Sequence, residues 1–189
     1  MSTFSSSIPW RGALPSQRGL HRAVIVFACL LLSTKAIATS PGLGQPLTEA
    51  AAQAHSLTVL PDGTGLPSGN GTAHTGEPVY QRHCLACHGL QGANGINDRL
   101  VGGHGSLRTE QPVRTIGSYW PYATTVFDFI RRAMPYNNPG TLTNDEIYAV
   151  TAYLLHLNGL IGAEDEMNAT TLPGVTMPNQ QNFVWIEGD

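Results

Sequence analysis

One five-residue stretch, Cys84-Leu85-Ala86-Cys87-His88, constrains this chain more than any other. Its two thiols stand at i and i+3, so on a helical turn they project to the same side. They can then add to the two vinyl groups along one edge of a haem, while the histidine that follows offers a ring nitrogen to the iron from below. C-x-x-C-H is the signature of covalent c-type haem attachment. The only other cysteine, Cys29, lies in an apolar run near the N-terminus, so the downstream chain has one thiol pair and one such motif. A thioredoxin-like pair would need a βαβ setting, and the surrounding periodicity is helical. A zinc site would need a second cluster of cysteine or histidine.

An iron held by His88 has a sixth position to fill. A methionine thioether there raises the reduction potential and closes the iron to outside ligands. Met134 is the leading candidate, because it ends a helical pattern, precedes Pro135 and enters the loop Asn137–Gly140. Met177 is the second candidate and Met167 the third. His104, in Gly102-Gly103-His104-Gly105, would instead give two histidine ligands. Trp120 and Tyr119 are expected near a haem edge or in ordinary core packing. Arg99, Arg108, Arg114 and Arg131 are candidates to pair with haem propionates.

The chain has 189 residues, 41% of them hydrophobic and 12% charged, as befits one domain with extensions. Residues 1–38 read as an export signal. Arg11, Arg18 and Arg22 precede the short apolar run Ala23–Leu32, and Ala36-Ile37-Ala38 fits a cleavage site near Ala38. The run is about half the ~20 residues of a membrane span. An exported chain, cleaved and without a span, is the expectation, and the compartment is the periplasm. Downstream of Ala38 remain six arginines and thirteen acids, a formal charge of −7, and no lysine. That balance argues against nucleic acid and anionic membranes as partners. It also argues against docking through a ring of lysines.

Helical spacing marks three segments. Tyr80, His83/Cys84 and Cys87 share one face. Val126, Phe129/Ile130 and Ala133 repeat the pattern until Pro135 ends it. Thr143-x-x-Glu146 is a capping box ahead of the stripe Ile147, Val150, Leu154 and Leu157, and Asn158-Gly159 is the stop. Residues 76–160 thus form the expected domain, small enough to need a staple such as a haem. Residues 39–75, with a short helix over Leu47–Ala54, and residues 161–189 are Gly- and Pro-rich arms without periodicity. Each arm carries apolar residues, among them Leu57, Val59, Leu60 and Leu66 in the first and Leu172, Met177, Phe183 and Trp185 in the second. The arms are expected to be poorly packed on the domain and to become ordered against a partner's surface.

Gly76, Tyr80 and Cys84 keep the G-x-x-x-aromatic-x-x-x-C spacing of class I cytochromes c, which the chain resembles over residues 76–160. A narrower resemblance follows from Asn97–Gly105, Thr115–Met134 and Ala149–Gly159, and from Leu60–Pro67 and Thr176–Asn179 in the arms. These stretches look like the cytochrome subunit of Sox-type sulfite (sulfane) dehydrogenases. That resemblance implies an all-α class I cytochrome c fold with extended N- and C-terminal arms, one haem c, and His88 and Met134 as iron ligands. It also implies a molybdenum-cofactor dehydrogenase subunit as partner, with a further acceptor, such as another cytochrome, downstream. Some members of that family carry two haems; this chain has a single C-x-x-C-H. Two rival functions stand beside this one: a free-standing periplasmic electron shuttle, and a haem enzyme or gas sensor with an open iron.

Overall fold

The computed structural model of the protein describes residues 43–54 and 56–183. The chain divides between Leu47 and Thr48, and every element below belongs to the unit Thr48–Asp189. The expected leader over residues 1–38, and Trp185 of the tail, lie outside the described residues. Among the described residues no helix is long and apolar enough to cross a membrane.

The order is α1 (Glu49–Ala54), β1 (Asn70–Gly71), α2 (Ala73–His83), the single turn α3 (Leu85–His88), α4 (Ala123–Ala133), α5 (Asn144–Leu157) and β2 (Met167–Asn168). Side-chain chemistry sets the helix ends. Thr72 and Thr75 cap each other's backbone at the start of α2, and Thr143 and Glu146 do the same for α5. α4 stops at Met134, whose neighbour Pro135 cannot continue a helix. α5 stops at Asn158-Gly159, where Gly159 takes a left-handed φ of 69°.

α5 is the central pillar. α2 crosses it at Gly76, where a Cβ would overlap the carbonyl oxygen of Ala149. One turn on, the rings of Tyr80 and Tyr153 lie 5.4 Å apart. α4 packs on another side through Phe127 and Tyr148, with ring centroids at 4.4 Å. The sequence reading placed one apolar stripe on α5, but every residue from Ile147 to Leu155 is buried. The extra cover comes from the arms.

Here the structure corrects the expectation of poorly packed arms. Val59, Met167, Leu172 and Met177 belong to the same buried core as Tyr80, Phe127 and Leu155. Residues Asn70–Gly71 and Met167–Asn168 pair as a two-residue antiparallel ladder, with Gly71 opposite Met167. The first arm is pinned to the helices by backbone contacts: Val59 N–H donates to Asp128 Oδ1 at 3.2 Å, and Tyr148 Oη donates to the Pro67 carbonyl at 2.9 Å. Asp128 is also ion-paired with Arg132. The physical reason is that the helices leave apolar surface open on both α5, which the β1–β2 ladder covers, and α4, which Leu172–Gly174 covers.

Candidate functional site

The break between α2 and α3 falls on Cys84, with φ −122° and ψ −35°. It turns the Cys84–His88 stretch toward a cavity of about 660 Å³ walled by α2, α3, α4, α5 and the loops between them. Cys84, Cys87 and His88 all line it, and Met134 reaches it from the end of α4. Leu100, Ile116, Trp120, Val126, Ile130 and Leu154 supply much of the apolar wall. Trp120 meets Phe129 edge-on at 5.6 Å, and both border the cavity.

The two cysteines are free thiols, not a disulfide. Burial, and secondarily the neighbouring Cys87, pushes the Cys84 thiol up to about 11, so it stays protonated at neutral pH. His88 is fixed by one contact, Nδ1 at 2.8 Å from the Asp98 carbonyl oxygen. A carbonyl can only accept, so Nδ1 carries a proton, and in the neutral ring the lone pair is then on Nε2. That is the tautomer a metal ligand needs.

The cavity volume lies within the ~300–1,000 Å³ typical of pockets that enclose small-molecule cofactors. An apolar wall, two thiols three residues apart, an imidazole with a free Nε2 and a thioether from another element fit a haem. The zinc alternative lacks a ligand set: among the described residues no three or more His, Cys, Asp or Glu side chains converge.

The other sequence candidates divide cleanly. Met167 and Met177 are core residues, 4% and 2% exposed, and neither borders the cavity. His104 is exposed and lies outside it, as do Arg99, Arg108, Arg114 and Arg131. Arg82 is the arginine that does border it, next to His83. Tyr119 stays outside, under the Arg114 guanidinium at 5.5 Å. Sequence reasoning passed over the Asp98 carbonyl, because a backbone acceptor leaves no mark on residue type. It passed over Asn179 as well, which stands in the arm then read as loose.

A helical domain that closes an apolar cavity over a C-x-x-C-H turn has the architecture of a c-type cytochrome. Residues 71–154 match the family described as cytochrome c oxidase, cbb3-type, subunit III. The crystal structure of the sulfane dehydrogenase SoxCD from Paracoccus pantotrophus is similar to the chain at 39% identity and a TM-score of 0.72, over 77% of this chain and 72% of that one. No curated protein matches significantly. The chain belongs to the cytochrome c family, whose domains use haem for electron transfer.

Proposed function

We propose that this protein is a periplasmic electron carrier with one covalent haem c, serving as the cytochrome subunit of a molybdenum-cofactor sulfite or sulfane dehydrogenase. In this reading Cys84 and Cys87 would hold the haem through thioethers, and His88 and Met134 would hold its iron. The observation that carries it is the convergence of these four side chains on one apolar cavity, in a chain 39% identical to a sulfane dehydrogenase structure. Haem, when bound, supplies one-electron redox chemistry at its iron. The protein's own residues do the rest. The Asp98 carbonyl holds the His88 tautomer, the apolar wall keeps water out, and Met134 offers a soft sulfur that favours the reduced metal. Substrate oxidation belongs to the partner, and electrons pass on to a downstream acceptor, proposed to be another cytochrome.

A free-standing shuttle is the second reading, and one observation favours it. Val59, Met167, Leu172 and Met177 complete this domain's own core and need no partner to cover them, although Leu57, Leu60 and Phe183 stay exposed. Purification of the protein from its native host separates the two. The subunit reading expects a molybdenum-containing partner to copurify, and addition of a sulfur oxyanion to the complex to reduce the haem. A monomeric haem protein without molybdenum sinks it. The attachment chemistry has its own test: haem survives denaturing electrophoresis in the wild type and is lost from the Cys84→Ala/Cys87→Ala variant.

A further inference from the structure

The C-terminal tail is hydrogen-bonded to the segment that carries Trp120. Asn179, 8% exposed, donates from Nδ2 to the Tyr119 carbonyl oxygen at 2.8 Å. That carbonyl belongs to the peptide group leading into Trp120, whose side chain lines the cavity. On the other side of Trp120 stands Pro121, which disfavours helical backbone at the residue before it. The rotation of Trp120 is therefore limited from both ends, and the N-terminal restraint comes from the tail.

Asn179 is itself held in place. Asn182 Nδ2 donates to Asn179 Oδ1 at 3.1 Å, and two residues before Asn179 the side chain of Met177 is buried in the core. A primary amide can donate to Tyr119 and accept from Asn182 at once; a carboxylate or an aliphatic side chain of the same shape cannot. Beyond it, the Phe183 ring stands edge-on to Tyr119 at 5.7 Å. The tail is thus anchored at Met177, latched at Asn179 and pressed down by Phe183.

We infer that Asn179 is a positioning residue for the haem site. Through the Tyr119 carbonyl it fixes Trp120 against the cavity, and Phe183, packed on the Tyr119 ring, holds the same segment from outside. This inference rests on the haem reading above. Burial and solvent access are levers on a haem's potential. A loosened Trp120 admits water, which favours the more highly charged ferric state and lowers the potential.

Asn179→Asp removes the donated hydrogen bond while preserving shape but adds a negative charge, whereas Phe183→Ala loosens the same segment with no change of charge. Both are made where Trp10 and Trp185 are replaced by phenylalanine, so that of the chain's 3 tryptophans Trp120 alone emits. In the parent its emission is quenched by the adjacent haem. The expected result in both variants is retained covalent haem, increased Trp120 emission and a lower midpoint potential. Emission and potential matching the parent in both variants overturn the inference, and Phe183→Ala alone decides if Asn179→Asp does not fold. Haem staining of the parent separates the two possible failures. A stained parent with unmoved variants overturns this inference only, and an unstained parent overturns the proposed function.

Discussion

The imidazole of His88 is oriented by a backbone carbonyl ten residues further along the chain, the Asp98 acceptor at 2.8 Å. The motif around it was readable from sequence because its meaning is local: two thiols and an imidazole within five residues define one face of one turn. The position of Met134 was readable for a similar reason, since Pro135 ends α4 and leaves a thioether at the helix terminus beside the cavity. The arginines were not readable. A guanidinium on a flexible stem takes its partner from the tertiary fold, and Arg82, not the four expected residues, borders the cavity. If Met134 is the sixth ligand, Met134→Ala lowers the reduction potential and abolishes the weak near-infrared band of a methionine-bound ferric haem. Met177→Ala leaves that band in place, because Met177 sits in the core away from the cavity. Optical spectra and potentiometry of the two variants check this, and the reverse pattern would show that the wrong methionine has been chosen.

The helices were legible as elements, and their crossing was not. Thr143 and Glu146 announced the start of α5 and Asn158-Gly159 its end, because capping is written in neighbouring residues. The Thr72–Thr75 cap of α2 lacks the acidic partner of the usual box and so escaped notice. The contact of α2 with α5 depends on a missing atom. At Gly76 the space for a side chain is filled by the backbone of Ala149. Gly76→Ala would raise intrinsic helix propensity by up to ~1 kcal/mol. Overpacking at the crossing is expected to outweigh this, for a net loss of stability of about 1–2 kcal/mol. Thermal or denaturant unfolding of the variant measures it, and a stabilised Gly76→Ala would show that the two helices do not cross this closely.

For the molecule as a whole, the arms were where sequence reading failed. Gly- and Pro-rich segments lack the periodicity that identifies a buried face, so Leu172 and Met177 read as patches awaiting a partner. In the fold, Leu172 is 0% exposed and Met177 2%. A clue was present in α5 itself: the run Ala149-Val150-Thr151-Ala152-Tyr153-Leu154-Leu155 is too apolar all round for a helix with a solvated side. Truncation after residue 160 is therefore expected to strip cover from α5 and lower the unfolding temperature of the haem domain; a docking tag could be removed without that effect. Leu172→Ala alone should cost about 2–5 kcal/mol. An unchanged melting curve in both variants would return the tail to the status of a linker.

The ladder joining Gly71 to Met167 has a temporal side as well. A chain delivered from its N-terminus presents Cys84–His88 well before Met167 and Met177 emerge. Until they do, β1 has no partner and the side of α5 beside the ladder is uncovered. The tail arrives last, so the core that Tyr80, Phe127 and Leu155 share with Met167 and Met177 is completed only as the end of the chain emerges.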